Sequence, residues 1–347
     1  MNEREQQFIF DIDYEGLVSI IESWGEPLYR AQQIWQGLYK NLWNEPDHFT
    51  TLSTKLRKKL AEEFTFYQIE PVQVLTSGDK ETEKTLFRLS DQRAIEAVLM
   101  RYNKRRTLCI STQSGCAMGC VFCATGQMGF QRNLSSGEIV EQVIYFARKL
   151  RAQDDKVSNV VIMGMGEPFH NYDATMQAIE RLNHPEGMGL GARRFTISTV
   201  GLVPAIKRFT AEHRQINLAV SLHASDDDLR SSMLPINKKY PISELIQTCR
   251  DYVKQTRRRI TFEWALIRDV NDSIDQARQL AELLQGMLCH VNVIPLNPTQ
   301  RYTGQATTRQ RALAFKSELD ERGVPCSIRL RRGIDIQAGC GQLAIEV

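Results

Sequence analysis

The first part of the chain has apolar residues at helical spacing. They recur three to four positions apart over residues 17–24, 31–38 and 52–64, a pattern typical of amphipathic helices. We therefore expect a small helical accessory domain over residues 1–65. The period then changes to two at residues 84–89 and 94–100, which predicts a linker and a β-hairpin extension over residues 66–106.

From Thr107 onward, strand-like and helix-like stretches alternate, which is typical of a parallel sheet covered by crossover helices. Strands are predicted near residues 107–112, 159–163, 194–199, 216–221, 259–267 and 289–295. Helices are predicted near residues 135–150, 173–183, 202–212, 242–256, 273–286 and 307–321. Six such units make an α/β fold, an open and partial (β/α)6 barrel over residues 107–330. A last strand at residues 326–330 precedes a tail over residues 331–347.

Polar and glycine-rich segments follow five of the predicted strands. In chain order they are Cys116–Cys123, Gly164–Pro168, Ser198–Gly201, Ser221–His223 and Asn297–Pro298. Because reactive groups in α/β barrels gather at the carboxyl ends of the strands, we expect one shared site there. Simpler roles stay open for three residues: His223 can merely shape the pocket, and Ser198 and Ser221 can cap their own strands.

The composition is that of an ordinary soluble globular protein. The 347 residues are 42% hydrophobic and 24% charged, and no apolar run reaches the length that spans a membrane. The segment Met1–Gln7 lacks the form of a signal peptide, and eight cysteines in a chain this long do not make a disulfide scaffold. We therefore expect a cytoplasmic protein, with Cys249, Cys289 and Cys326 as small buried residues.

The net charge is small, but the cations are clustered. The 44 lysines and arginines exceed the 41 aspartates and glutamates by three. Four basic runs stand near predicted site elements, at residues 104–106, 193–194, 257–259 and 329–332. Short basic runs are commonly solvated faces, but several of them around one site are also what an RNA-binding surface requires.

Cys116, Cys120 and Cys123 stand in the spacing C-x3-C-x2-C. This differs from the paired C-x2-C motifs of zinc fingers and would leave a metal site one protein ligand short. Thiolates are the usual ligands of iron–sulfur clusters, and a [4Fe-4S] cluster held by three of them keeps one iron open for chemistry. The alternative is that Cys109 is a fourth ligand, which would close the cluster for electron transfer or make a zinc site.

The cysteine motif resembles the signature of radical S-adenosylmethionine (SAM) enzymes, in which SAM chelates the open iron. Gly164–Pro168 resembles the segment that holds the SAM amino group. Cys340 lies between glycines near the end of the chain and by itself would be interpreted as a free surface thiol. Together with Cys109 and the cluster motif, it is similar to the cysteine pair of radical-SAM adenine methyltransferases of RNA.

The nearest branch that the chain resembles is the RlmN family, the dual-specificity adenine-C2 methyltransferases of 23S rRNA and tRNA. The resemblance runs from the N-terminal helices to the tail and includes Met233–Asn237 and Val291–Pro298. It departs from the family at Gln337 and Gly339, where Asp and Ala are common.

The resemblance implies a radical-SAM barrel and a defined set of site residues. Cys116, Cys120 and Cys123 would hold one [4Fe-4S] cluster. Two molecules of SAM would be consumed per turnover. The implied SAM contacts are Gly166, Glu167, Ser198, Ser221, Leu222, His223 and Asn297.

The resemblance also implies a reaction. The C2 carbon of adenine is too electron-poor to attack the methyl group of SAM, so the family uses a radical route. Cys340 would accept a methyl group from one SAM, and the radical left after hydrogen removal would add to C2. Glu96 would remove the C2 proton, and Cys109 would release the product by forming a disulfide with Cys340. The implied targets are adenine 2503 of 23S rRNA, in the peptidyl-transferase centre, and adenine 37 of certain tRNAs.

Further expectations concern partners and alternatives. The basic runs and the helical domain would bind RNA by its backbone and shape. An electron donor such as flavodoxin or ferredoxin would reduce the cluster, no membrane partner is expected, and the protein is expected to be a monomer. Arg331 and Arg332 are candidates for lowering the pKa of the Cys340 thiol.

Two other functions stay open. One is a C8 adenine methyltransferase of the antibiotic-resistance branch, related to Cfr, which shares the cluster and both cysteines. The other is a structural iron–sulfur module that binds RNA. Leu296 and Phe262–Trp264 resemble the C2 branch.

Overall fold

Three helices form the first part of the chain, as the apolar spacing predicts. The computed structural model describes residues 6–329 and 331–344. Its first helices are α1 (Tyr14–Ser23), α2 (Tyr29–Tyr39) and α3 (Thr54–Glu63). A short parallel pair of strands, β1 (Gln7–Phe8) and β2 (Phe64–Thr65), joins the two ends of this helical unit. Residues 1–5 of the predicted helical domain, Leu330 of the predicted last strand and residues 345–347 of the predicted tail lie outside the described residues.

The region after the helical unit contains a strand that the sequence pattern did not predict. β3 (Ile69–Thr76) pairs antiparallel with β4 (Thr82–Leu89), which pairs with β5 (Ala94–Tyr102) to form the predicted hairpin. β3 is an addition to the predicted linker and hairpin, in a segment where Glu70 and Pro71 disfavour a strand. Pro71 is tolerated because β3 is an edge strand with a bulge next to this residue.

The cysteine segment leaves the sheet after β6 (Arg105–Cys109), which pairs antiparallel with β5. β7 (Gln113–Gly115) and β8 (Phe130–Asn133) form a small antiparallel pair at its two ends. Between them, the short helix α4 (Ala124–Met128) begins directly after Cys123. The three motif cysteines thus lie on a loop that is closed at its base.

The parallel part of the structure is the predicted open barrel. Its strands after β6 are β9 (Asn159–Ile162), β10 (Phe195–Thr199), β11 (Asn217–Ser221), β12 (Ile260–Leu266), β13 (Cys289–Pro295) and β14 (Cys326–Ile328). The crossover helices are α5 (Ser136–Arg151), α6 (Tyr172–Asn183), α7 (Val203–Ala211), α8 (Asp227–Met233), α9 (Ile242–Thr256), α10 (Ile274–Leu284) and α11 (Arg309–Glu321). One ten-stranded sheet runs in the order β14-β13-β12-β11-β10-β9-β6-β5-β4-β3, so the hairpin strands extend the barrel sheet. The α/β prediction is confirmed, and α8 is an addition that it lacked.

The core lies between this sheet and its helices. Among its largest fully buried side chains are Phe146, Phe195 and Trp264. Cys249, Cys289 and Cys326 are buried as expected, and they carry free thiols. Within the described part of the chain, no helix combines the length and apolar character needed to cross a bilayer.

The N-terminal unit is fastened to the barrel at the start of α5. The Asp11 carboxylate accepts hydrogen bonds from the Gly137 N–H at 2.7 Å and from the Ser136 hydroxyl at 3.2 Å, a favourable place for a negative charge at a helix N-terminus. At Gly137, a Cβ atom would lie 2.6 Å from the Phe8 ring and 2.8 Å from the Asp11 backbone nitrogen. Only glycine allows the two parts to approach this closely.

We expect Gly137→Ala to lower the free energy of unfolding by about 1–3 kcal/mol, the range for overpacking a close contact. Alanine is the better helix former, but here its methyl group meets a backbone atom that cannot turn away. Denaturant unfolding measures the change. Gly191→Ala is the control, because a Cβ atom there meets nothing within 4 Å and should have little effect. A Gly137→Ala protein as stable as the parent would contradict this account of the junction.

Candidate active site

One cavity at the carboxyl ends of the parallel strands collects most of the predicted site residues. Ten of the thirteen line it: Cys109, Cys120, Cys123, Gly166, Glu167, Ser198, Ser221, His223, Asn297 and Cys340. They come from five strand ends and from the tail, which are far apart in sequence. The structure therefore brings together the groups that the sequence pattern assigned to one site, while their individual roles stay predictions.

Three predicted residues do not line this cavity. Cys116 lies at the base of the cluster loop, where its N–H donates to the Gly129 carbonyl at 3.0 Å. Leu222 is fully buried, and its N–H donates to the Glu263 carbonyl at 3.1 Å. Glu96 lies on β5 and is buried beside the cavity rather than on its wall.

The cluster loop has donors aimed at its sulfur atoms. Burial raises the pKa of the three thiols. Hydrogen bonds from the backbone at Thr125 and Gly126 act on the Cys123 sulfur and lower its pKa in part. Hydrogen bonds to ligand sulfurs and protection from solvent are features that tune iron–sulfur clusters. The loop therefore fits a group that replaces the thiol protons with metal.

A single zinc ion fits the same loop less well. Among residues 6–329 and 331–344, no three His, Cys, Asp or Glu side chains converge on a point where one metal ion would bind. The fourth-ligand role proposed for Cys109 also lacks support, because its strongest charged neighbour is Cys340 on the tail. Three thiolates around a larger group match a [4Fe-4S] cluster with one open iron.

The loop after β9 is shaped to present Glu167. Gly166 has a φ of +100°, and a Cβ atom there would lie 2.6 Å from Gln113, so the turn requires glycine. The Glu167 carboxylate accepts hydrogen bonds from the Val200 N–H at 2.9 Å and the Phe169 N–H at 3.0 Å. Burial outweighs these bonds and raises its pKa to about 7. A cationic ammonium group would suit this buried carboxylate.

His223 lies in the left-handed region, with a φ of 63°. Its Nδ1 accepts a hydrogen bond from the Ala265 N–H at 2.9 Å, and its carbonyl accepts one from the Asn271 side chain at 2.8 Å. Burial lowers its pKa to about 3, so the ring is neutral and carries its proton on Nε2. The ring packs edge-on against Phe122 at 5.0 Å, next to the cluster cysteines.

The tail that carries Cys340 is bound to the cluster loop and to β13. The Ala124 N–H donates to the Gly341 carbonyl at 2.8 Å, and the Thr125 hydroxyl donates to the Leu343 carbonyl at 2.6 Å. The Asn297 side-chain nitrogen donates to the Cys340 carbonyl at 3.0 Å. The Asn297 oxygen Oδ1 is buried and accepts no hydrogen bond in the described structure, so it is an acceptor available to a ligand.

Cys340 faces the cavity, where its surface is accessible although protein surrounds it. Burial, together with the charges of Glu263 and Cys123, raises the pKa of its thiol to about 12, and Arg329 opposes this shift. The expectation that Arg331 and Arg332 would lower this pKa is not supported. Arg329 is the arginine that acts on the Cys340 thiol.

Arg332 is occupied elsewhere, although it also lines the cavity. Its guanidinium forms an ion pair with Glu81 and stacks over the Tyr102 ring at 4.5 Å. Arg105 covers the same ring at 4.3 Å. Arg332 therefore anchors the tail to the hairpin strands instead of activating the thiol.

Glu96 is held between the hairpin and the end of the tail. Its Oε1 forms a buried ion pair with Lys84 Nζ at 2.8 Å, and its Oε2 accepts a hydrogen bond from the Ala344 N–H at 3.0 Å. In the sheet register, Cys109 lies opposite Val98, two residues from Glu96 on the same strand face. The carboxylate and Cys109 therefore share one face of the sheet.

The sequence pattern missed Glu263 as a site residue. Its Oε1 accepts a hydrogen bond from the Asn292 side chain at 2.9 Å, while Oε2 is buried with no partner among the described residues. Burial raises the pKa of this carboxyl group. A charged residue between Phe262 and Trp264 in a buried strand was the available signal. It lines the same cavity as Cys340.

Comparisons with known proteins identify the family of the chain. The family model described as the radical SAM superfamily matches residues 110–282, and the one described as the ribosomal RNA large subunit methyltransferase N-terminal domain matches residues 8–66. A probable dual-specificity RNA methyltransferase RlmN of Chloroflexus aurantiacus is 48% identical over 352 residues, which cover 98% of this chain and 93% of that protein. This chain belongs to the RlmN family.

Other members and a solved structure extend the family likeness. The dual-specificity RNA methyltransferase RlmN 1 of Myxococcus xanthus is 46% identical over 339 residues, which cover 98% of this chain and 94% of that protein. A crystal structure of a radical SAM methyltransferase from Sphaerobacter thermophilus superposes with a TM-score of 0.95 at 49% identity, covering 97% of this chain and 99% of that one. The radical-SAM fold expected from the resemblance is thus confirmed.

Replacing any one of Cys116, Cys120 and Cys123 by alanine should abolish cluster assembly, because each removes one of only three thiolate ligands. Cys109→Ala is the matched control, since this cysteine lines the same cavity, and it should keep full iron and sulfide content. Iron and acid-labile sulfide, assayed after anaerobic reconstitution, measure the difference. Loss of the cluster from the Cys109→Ala protein would restore the fourth-ligand alternative.

Proposed function

We propose that this chain is a dual-specificity RNA methyltransferase that adds a methyl group to C2 of an adenine in 23S rRNA and to adenine 37 of tRNAs. The observation that carries the proposal is the position of Cys340. It faces the same cavity as Cys109 and the cluster loop, so a group placed on its sulfur lies where radical chemistry would occur. Family membership supports the RNA substrates.

The cluster and SAM would be held by groups already oriented in the cavity. Cys116, Cys120 and Cys123 are the proposed cluster ligands, while Glu167 and the unpartnered Asn297 Oδ1 are acceptors for polar groups of SAM. When bound, the reduced cluster and SAM supply the radical that removes a hydrogen atom from the methyl group on Cys340.

Cys340 is the proposed methyl acceptor, and Cys109 is its proposed partner in product release. The charge of the Cys340 thiolate raises the pKa of the Cys109 thiol, which supports an approach of the two sulfur atoms. Glu96 is the proposed base for the C2 proton. Its ion pair with Lys84 and its bond from Ala344 fix the carboxylate and couple it to the tail.

No observation favours the C8 alternative, and a purely structural iron–sulfur module would leave the paired cysteines without a role. Several finer points stay predictions from the sequence. They are two SAM molecules per turnover, a flavodoxin or ferredoxin as electron donor, the monomeric state, the cytoplasmic location, the domain boundaries and RNA binding by the helical unit.

Anaerobic incubation of the reduced, cluster-loaded protein with SAM and unmodified 23S rRNA tests the proposal. Nuclease digestion followed by chromatography and mass analysis should find 2-methyladenosine, and a parallel reaction with tRNA should give the same product. Cys340→Ala should reduce the product below detection while keeping the cluster. Cys109→Ala should accumulate a covalent protein–RNA adduct, because the thiol that opens it is gone.

The product identifies which function is correct. Detection of 8-methyladenosine would replace the C2 assignment by the C8 alternative. SAM that is not cleaved at all by the reduced protein would reject the enzyme and favour the structural module.

We expect Arg329→Gln to slow methyl loading of Cys340 severalfold, because this arginine lowers the pKa of the thiol and so favours the thiolate that accepts the methyl group. Intact-protein mass spectrometry after incubation with SAM measures the added methyl group. Arg331→Gln is the matched control, because this arginine lines the same cavity but is not among the charges that act on the Cys340 thiol. Equal slowing by both changes would contradict the assignment to Arg329.

A further inference from the structure

The family motif Met233–Asn237 has no part in the reaction proposed so far, yet it packs against the cluster loop. Val121, which lies between two cluster cysteines, donates its N–H to the Met233 carbonyl at 3.1 Å. Cys120 and Leu234 belong to one apolar cluster with Met233. The motif follows α8 directly, so this helix and its end support the loop that holds the cluster.

Arg230 lies on α8 and is completely buried. Its Nε donates to the Leu222 carbonyl at 3.1 Å, and its Nη1 donates to the Asn237 side-chain oxygen at 2.8 Å. Its Nη2 donates to the Val200 carbonyl at 2.7 Å and to the Ser221 carbonyl at 3.2 Å. All four partners are uncharged.

The positive charge of Arg230 has no carboxylate directly against it. In residues 6–329 and 331–344, no ion pair within 4.0 Å involves this guanidinium. Burial lowers its pKa to about 10, and the charges of the Cys120 thiolate, Asp227 and Cys249 oppose that shift, so the group stays charged at neutral pH. An unpaired buried charge costs several kcal/mol. Such a cation is retained where an anion will be placed beside it.

The carbonyl groups that Arg230 binds belong to the walls of the SAM site. Val200 also donates its N–H to Glu167, and Ser221 lines the cavity. The guanidinium thus ties the ends of β10 and β11 to α8. Loss of this fork of guanidinium N–H donors would let the ends of β10 and β11 move independently.

A cluster held by three thiolates is a net anion and gains another negative charge when it is reduced. A fixed cation in a buried site stabilises the more negative, reduced form to a greater extent, and the potentials of such clusters respond to net charge and hydrogen bonding. This applies to Arg230 because Cys120 is the first of the charges that act on it.

We propose that Arg230 is a positioning residue with two tasks: it fixes the strand ends that bind SAM, and its positive charge raises the reduction potential of the cluster on the neighbouring loop. This goes beyond the proposed function and rests on it for the presence of the cluster and of the SAM site. The potential is measured without RNA, so a failure of RNA methylation and a failure of this proposal are separate results.

The test compares Arg230→Gln, Arg230→Lys and the parent protein, all cluster-loaded and matched in iron and sulfide content. Redox titration followed by electron paramagnetic resonance gives the midpoint potential, and equilibrium dialysis gives the SAM affinity. Arg230→Gln should lower the potential by at least 59 mV, a tenfold change in the equilibrium of a one-electron couple. Both variants should bind SAM about tenfold more weakly, because neither restores the guanidinium fork.

Arg230→Lys separates charge from geometry, since it keeps the charge and loses the fork. Its potential should stay close to that of the parent. Arg208→Gln is the control for removal of an arginine, because Arg208 is an exposed residue of α7 that pairs with Asp173, and it should change neither quantity.

Each result decides the proposal. A parent-like potential in Arg230→Gln would overturn the electrostatic role, and so would a drop in Arg230→Lys as large as that in Arg230→Gln. Parent-like SAM affinity in both variants would overturn the positioning role. If Arg230→Gln does not fold, Arg230→Lys carries the test alone. In Arg230→Lys, a potential close to that of the parent together with weaker SAM binding is the expected result, and a drop of 59 mV or more contradicts the proposal.

Discussion

Parallel pairing of the barrel strands is the constraint on which the rest of the structure depends. It forces the ends of β9, β10, β11, β12 and β13 to one edge of the sheet. Where a strand ends, its last N–H and C=O groups are no longer paired with a neighbouring strand. Side chains such as Glu167 and Arg230 form hydrogen bonds with these groups instead. The polar groups that satisfy the strand ends are therefore already gathered where a ligand can use them.

The tail depends on this edge as well. It has little regular structure, and hydrogen bonds to α4, Asn297 and Glu96 hold it in place. Gly339 permits that fit, because a Cβ atom there would lie 2.6 Å from the Asn297 side chain. The tail therefore approaches the Asn297 side chain, just after β13, closely at this glycine. The position of Cys340 is thus fixed by the hydrogen bonds that the strand ends and the cluster loop form with the tail.

Much of the fold and part of the site follow from the sequence, and the remainder has identifiable causes. Strong alternation of strands and helices predicts the barrel units to within a few residues, and the strand-end rule predicts a shared cavity. β3 was not predicted because Pro71 is allowed in this strand only by its edge position. The local sequence pattern does not show which strand lies at the edge of a sheet. Glu263 and Arg230 were not predicted as site residues, because their roles depend on burial and on partners in other parts of the chain. The sequence likewise does not show that Arg329, rather than Arg331 or Arg332, acts on the Cys340 thiol.

The charges in the cavity explain why it is suited to cationic ligands. Burial raises the pKa of the cluster thiols, of Glu167 and of Glu263, because the surrounding protein disfavours their negative charge. Binding of iron and of the positively charged SAM supplies the missing cations and releases the protons. The buried arginines cannot do this alone, since Arg230 faces carbonyl groups and Arg329 acts on only part of the site. The site therefore reaches its fully ionised, hydrogen-bonded state only when both ligands are present, which couples the assembly of the cavity to the binding of its reactants.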